Sequence, residues 1–126
     1  MYRKFVLEYA ENQYGTEPEY MWERDPSCAV LRHKSGKWYG AILRAPKSSL
    51  GLNGDGHTYV LNVKCEPLLI DLMTKSEGFF RGYHMNKTNW LSILLDGTVD
   101  KKTIFEFIDK SYNEINGCVK KEKKRG

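Results

Sequence analysis

Ala29-Val30-Leu31-Arg32-His33-Lys34-Ser35-Gly36-Lys37-Trp38-Tyr39-Gly40-Ala41-Ile42-Leu43-Arg44 reads as two strands joined by a tight turn. Lys34-Ser35-Gly36-Lys37 is the hairpin signal, placed between the runs Ala29–His33 and Trp38–Arg44. In the second run, Tyr39, Ala41 and Leu43 alternate with Trp38, Gly40, Ile42 and Arg44. The first set is the more uniformly apolar and is expected to face the core. Strands joined this way pair antiparallel, so the chain should build an antiparallel sheet with helices packed against it.

Upstream of the hairpin, Tyr20–Glu23 is expected as a short strand turning at Asp25-Pro26-Ser27. Before it, Tyr2, Phe5, Val6, Tyr9 and Gln13 recur at helical spacing over residues 2–14, and Gly15 is placed to end that helix. Downstream, residues 45–57 are rich in Pro, Ser, Gly and Asn and read as the longest loop. Thr58–Lys64 is the fourth strand. A helix starts at Glu66-Pro67, with Leu68, Leu69, Leu72 and Met73 expected inward, and closes at Ser76-Glu77-Gly78. Phe79–Met85 and Trp90–Leu95 are the last two strands. Asp100 caps a final helix whose stripe is Ile104, Phe107, Ile108, Tyr112 and Ile115, and Gly117 is expected to stop it. The expected fold is therefore α+β, a mostly antiparallel six-stranded sheet in the order α-β-β-β-β-α-β-β-α.

The chain has 126 residues and a net charge of +4, which suits one domain able to bury its own core. The last seven residues hold five cations and one acid, so residues 1–119 carry 15 of each and are neutral. The expectation is a single domain over 1–119 and a disordered basic tail over 120–126. Within the body, residues 24–63 hold six cations and two acids, whereas residues 1–23 hold two cations and five glutamates. A basic face is thus compatible with a neutral total. No apolar run reaches membrane-spanning length, and the N-terminus has no signal-peptide pattern. A soluble, cytoplasmic protein is expected, as a monomer or weak homodimer. Cys28, Cys65 and Cys118 lack disulfide or zinc spacing. Neither metal nor cofactor is expected, and the acidic face of Glu8, Glu11, Glu17 and Glu19 reads as solvated surface.

The stretch with the most binding chemistry is Arg81-Gly82-Tyr83-His84-Met85-Asn86-Lys87-Thr88-Asn89-Trp90. It gathers two cations, two stacking aromatics, an imidazole and two amides. Tyr83-His84-Met85-Asn86-Lys87 with Trp90 resembles the MmcQ/YjbR family. Leu61-Asn62-Val63-Lys64-Cys65 with Pro67, Lys37-Trp38-Tyr39 and Ser111-Tyr112 extend the resemblance over nearly the whole body. Arg81 stands where many relatives carry proline. The resemblance implies a compact frataxin/CyaY-like fold, likened to a double-wing DNA-binding domain, and with it a non-enzymatic DNA-binding or nucleic-acid-associated protein.

Residue by residue, the nucleic-acid-binding candidates are Arg32, Lys34, Lys37, Arg44, Lys64, Arg81, Asn86, Lys87 and Asn89, with Arg81 and Lys87 offered to phosphates and Lys34 and Lys37 at a wing-like tip. Tyr83, His84, Met85 and Trp90 are motif residues suited either to stacking or to anchoring the corner in the core. His84 is expected to hydrogen-bond, with Asn62 or Asn86 as partner. An alternative function is a small-ligand or protein-interaction module using a pocket around Tyr83, His84, Asn86 and Trp90. Cys65 with His84 is the one evocative catalytic pair, and an inert, buried Cys65 is the competing reading.

Overall fold

The computed structural model describes residues 2–117 with their side chains. The tail expectation for residues 120–126 lies outside these. The elements in chain order are α1 (Tyr2–Tyr14), β1 (Ala29–Arg32), β2 (Trp38–Pro46), a 3-10 turn (Lys47–Leu50), β3 (His57–Lys64), α2 (Pro67–Met73), β4 (Phe79–Arg81), β5 (Trp90–Leu94) and α3 (Lys101–Arg125). The strands form one antiparallel sheet in the order β1-β2-β3-β5-β4. The α+β expectation holds, with five strands in place of six.

The missing strand is Tyr20–Glu23. A single antiparallel bridge joins Glu19 to Val30, and the chain then turns, with the Asp25 N–H bonded to the Trp22 carbonyl at 3.2 Å. Tyr20 and Met21 are 54% and 52% exposed. Of the segment's apolar residues, Trp22 is the one that packs against the sheet, over Cys28, Leu43, Val60 and Leu94.

Both faces of the sheet are covered. On one, α1 and α3 enclose the main core, which contains Leu31, Tyr39, Ile42, Leu61, Leu91, Ile93, Ile104 and Ile108. On the other, Cys28, Leu43, Val60 and Leu94 pack under loop residues Trp22, Leu50, Leu52, Phe80 and Tyr83. The expected core face of β2 is therefore divided between the two. The cause is a bulge: Leu31 pairs with Gly40 and Arg32 with Trp38, leaving Tyr39 as an extra residue on β2. The extra residue breaks the two-residue alternation. Tyr39 joins Ile42 on the helix side, while Leu43 lies on the loop side. Ser111 repairs the ladder at this point. Its hydroxyl accepts from the Lys64 N–H at 2.9 Å and donates to the Tyr39 carbonyl at 2.6 Å.

The first and last helices form much as their patterns imply. Gly15 leaves α1 with φ 66°, a left-handed turn that glycine adopts freely. Asp100 accepts the Thr103 N–H at 3.1 Å as the N-cap of α3, and all five residues of the expected stripe are buried. Gly117 does not stop α3, which continues past it; a helical glycine costs only about 1 kcal/mol relative to alanine. The two helices dock through aromatics and one carboxylate. Tyr9 stacks on Phe105 at 4.1 Å and Tyr14 on Tyr112 at 3.8 Å, and both phenols donate to Asp109.

Three further expectations are corrected. In α2, Ile70 is fully buried, while Leu68 and Leu72 are 81% and 61% exposed. A seven-residue helix presents one stripe, and Ile70 with half-buried Leu69 and Met73 fills it. Residues 45–57 are not a long open loop, because β2 runs to Pro46 and the 3-10 turn follows at once. Phe79–Met85 is strand only as far as Arg81.

Beyond Arg81 the chain leaves the ladder for side-chain partners. The Tyr83 N–H donates to Ser92 Oγ at 2.8 Å, the Ser92 hydroxyl donates to Asn62 Oδ1, and Asn62 Nδ2 donates to the Tyr83 carbonyl at 3.2 Å. Asn62 and Ser92 are both fully buried, so each member of this ring depends on the others.

Asn62→Ala leaves the Tyr83 carbonyl without its donor and the Ser92 hydroxyl without its acceptor. Urea unfolding should show a loss of roughly 1–3 kcal/mol; an unchanged midpoint would contradict the ring's role. A second test uses pH. Burial, reinforced by Asp109, pushes the Tyr9 phenol up to about 12 from 10.0 and moves Tyr14 in the same direction. The native state holds these protons more tightly than the unfolded chain, so their contribution is complete below pH 10 and is lost as pH rises toward 12. Asp109→Asn should make that alkaline decline shallower in denaturation curves taken between those pH values.

Candidate functional site: an aromatic cavity on the loop-covered face

One row of residues crosses the sheet on its loop side: Ala41, Asn62, Ser92 and Phe80, each paired with the next. The row is small and polar at its centre, so a stretch of backbone can lie directly on it. Gly82 makes the close approach, since a Cβ there would meet Trp90 Cβ at 2.9 Å. Tyr83 is then pinned by Asn62 and Ser92, and His84 follows with φ 56°, uncommon for a residue other than glycine. The rest of the stretch folds on itself. Asn86 Oδ1 accepts the Thr88 N–H at 2.8 Å, and Lys87 Nζ donates to the Gly82 carbonyl at 3.0 Å. The expected alternation of side chains along 83–87 is absent because this is a turn, not a strand.

Beside this turn lies a cavity of about 420 Å³. Trp22 and Trp38 form one corner, their rings 6.3 Å apart and nearly perpendicular. Tyr83 and His84 form the opposite wall, at 4.1 Å and again edge-to-face, with Met85 beside them. Ala41, Leu43 and Cys28 make an apolar floor, and Asp25 and Arg44 border it. The Ser27 hydroxyl donates to Asp25 and holds its carboxyl below the usual range. Burial pushes the Cys28 thiol up. Such a space suits stacking and the exclusion of water from a flat, mostly apolar group.

The structure disperses the nucleic-acid-binding candidates. Arg32 is paired with Glu19, donates to the Gly36 carbonyl at 2.9 Å and stands 5.9 Å over the Trp38 ring. Arg81 is paired with Asp71 at 2.8 Å. Lys64 lies at a separate groove with Cys65, Glu66, Lys110 and Glu114. Lys34 and Lys37 are exposed on the β1–β2 turn, and Asn86, Lys87 and Asn89 are exposed on the 82–89 turn. Arg44 alone among the nine reaches the cavity's edge, where its backbone N–H donates to Cys28 Sγ at 3.4 Å, while its pairing with Tyr59 puts its side chain on the helix-side face. Of the four motif residues, Tyr83, His84 and Met85 line it, while Trp90 is buried beneath Gly82. Asn62 serves Tyr83 and Ser92, not His84.

Cys65 and His84 are not brought together. Cys65 belongs to the helix-side core and the Lys64 groove, and its N–H donates to the Asn89 carbonyl at 2.8 Å. His84 lines the aromatic cavity. Burial, with Glu114 and Glu66 nearby, pushes the Cys65 thiol up to about 11, the reverse of an activated nucleophile. Among the described residues no three His, Cys, Asp or Glu side chains are grouped to hold a metal ion, and no helix is long and apolar enough to cross a membrane.

Trp22, Asp25 and Cys28 are the site residues that sequence reading did not single out. A tryptophan inside a polar, turn-rich segment was the available signal for the first. The other two are recognisable only once the turn folds over β2.

The family model YjbR matches residues 12–114. The protein YyaQ of Bacillus subtilis is 39% identical over 112 residues, covering 88% of this chain and 95% of that one. A crystal structure of a protein from Pseudomonas syringae superposes with a TM-score of 0.85 at 36% identity, covering 90% of this chain and 97% of that one. Deinococcus radiodurans protein DR2400 has a TM-score of 0.64 at 18% identity over 86% of this chain and 74% of that one, a likeness of fold alone. With a family model spanning most of the body and a relative of 39% identity along nearly its whole length, the chain belongs to the MmcQ/YjbR family.

Proposed function

We propose that this chain is a non-enzymatic binding module that holds a planar ring in the aromatic cavity. The observation carrying this reading is the space itself: about 420 Å³ walled by Trp22, Trp38, Tyr83 and His84 over an apolar floor. Small-ligand sites span about 300–1,000 Å³ and combine apolar walls with a few polar groups, here Asp25 and His84. The non-enzymatic part draws support from the raised thiols of Cys28 and Cys65. The pocket differs in composition from the sequence expectation. Tyr83 and His84 contribute, and Trp22 and Trp38 stand in place of Asn86 and Trp90.

Nucleic-acid association is the second reading. Lys34 is exposed at the hairpin tip and Lys87 on the 82–89 turn, and a cavity that stacks planar rings suits an unpaired base better than a duplex. Arg32 and Arg81, engaged by Glu19 and Asp71, are weaker phosphate ligands than their sequence positions imply.

Ligand-observed NMR against a panel of nucleosides and indole derivatives tests the first reading. Binders should appear, and Trp38→Ala should weaken them by about tenfold to a hundredfold, the usual worth of one stacking partner. A panel without binders, or binders indifferent to Trp38→Ala, would sink it. For the second reading, the five tail cations are replaced by glutamine and oligonucleotides are titrated at low salt. Single strands should retain binding and exceed duplex; binding abolished by the tail replacement alone would reduce the effect to a non-specific polycation.

A further inference from the structure

We infer that His84 reads the edge of the ring held in the aromatic cavity and selects heterocycles that carry a hydrogen-bond acceptor there. The inference rests on the reading of the cavity as a ring-binding site and adds which part of its occupant is recognised.

The backbone singles this position out. Among the described residues, seven glycines have positive φ, and His84 is the one other residue that does, at 56°. Glycine adopts this conformation freely, whereas a residue with a Cβ is strained in it. A side chain kept where the backbone favours none points to a use for that side chain.

Stability does not supply the use. The imidazole is exposed and so buries little apolar surface. Its ring meets Tyr83 edge-to-face at 4.1 Å, but Tyr83 is already fixed through its backbone by Asn62 and Ser92. The imidazole forms no hydrogen bond or ion pair among the described residues.

The other polar groups at the floor and border are engaged. Asp25 accepts the Ser27 N–H and hydroxyl, and the Cys28 thiol also bonds to it. Cys28 Sγ accepts the Arg44 N–H, and the Arg44 side chain lies on the helix-side face with Tyr59. The walls carry the imidazole, the indole N–H groups of Trp22 and Trp38 and the Tyr83 hydroxyl, none of them hydrogen-bonded among the described residues. A neutral imidazole has one donor and one acceptor, an indole a donor only, and a phenol either. Donors prevail in that set, so a ring with an acceptor at its edge answers it best. A hydrocarbon ring would leave these groups unpaired.

Indole and benzimidazole share a shape and one N–H, and only benzimidazole adds a ring nitrogen that accepts. The full chain would be titrated with each by ligand-observed NMR, at mildly alkaline pH where benzimidazole is uncharged. Benzimidazole should bind about threefold to tenfold more tightly, the worth of one neutral hydrogen bond. His84→Gly should erase the difference by weakening benzimidazole. Its urea midpoint should stay near that of the native chain, because relieved strain offsets the added freedom of the unfolded glycine. His84→Asn, whose amide hydrogen-bonds and whose backbone tolerates the left-handed region, should keep part of the difference. Equal binding of the two probes to the native chain overturns the inference while leaving the ring site standing. So does a difference that survives His84→Gly, or an equal weakening of both probes, which would make His84 a wall and nothing more. A clear fall in the urea midpoint of His84→Gly overturns it by assigning the imidazole to the fold. Failure of both probes in a protein that holds nucleosides overturns it as well. Failure of every planar ring removes the ring site first, and this inference with it.

Discussion

The Asn62 side chain is the contact on which the rest of the candidate site depends. A buried amide without partners is costly, and Asn62 sits fully buried in a central strand. Its oxygen accepts from Ser92 and its nitrogen donates to the Tyr83 carbonyl, while the Tyr83 N–H returns to Ser92. Each polar group answers another, and the arrangement exists only when the chain after Arg81 lies across the sheet. The ring thereby converts a would-be strand into a turn and delivers Tyr83, His84 and Met85 as one wall of a cavity. The left-handed backbone of His84 is tolerated because both sides of it are tied, at Tyr83 and through the Lys87–Gly82 contact.

A similar device operates on the helix side. The bulge at Tyr39 lies in the β1–β2 ladder, and the β2–β3 ladder stops beside it at Gly40–Val63; Ser111 from α3 supplies a hydroxyl between the Lys64 N–H and the Tyr39 carbonyl. Tyr39 gains burial against Tyr14 and Tyr112, and α3 becomes hydrogen-bonded to the sheet as well as packed on it. The bulge also explains why Trp38 reaches the cavity while its neighbour Tyr39 enters the helix-side core. Two short polar side chains, Asn62 and Ser111, thus decide where aromatic groups go on either side of one sheet.

Charge shows the same dependence on tertiary placement. The 24–47 segment reads as a row of available cations, yet Arg32 folds back to Glu19, and outside that segment Arg81 meets Asp71 on α2. Both acids lie far enough away in sequence that no local pattern announces the pairing. The exposed cations that remain lie apart, with Lys34 on the hairpin turn, Arg44 on the helix-side face beside Tyr59, and Lys87 on the 82–89 turn with its amine bonded to the Gly82 carbonyl.

The α+β class, the antiparallel pairing through the Lys34–Lys37 turn, the extent of α1, the Asp100 cap and the buried stripe of α3 were all legible in the sequence. These follow from local rules: side-chain period, turn residues and capping act within a few positions and do not need the rest of the chain. The family motifs likewise identified Asn62, Tyr83 and Ser111 as a set without saying what they do. The end of β4 at Arg81, the exposure of Leu68 and Leu72, the splitting of β2 between two cores and the aromatic cavity were decided by tertiary structure. Each depends on a partner distant in sequence. Ser92 and Asn62 draw Tyr83 off the ladder, Ile70 takes the inward face of α2, an extra residue shifts the parity of a strand, and Trp22 meets Trp38 only after the 20–28 segment folds over β2. Periodicity reports which residues are apolar; which of two covered faces receives them is settled by contacts that close across the sheet.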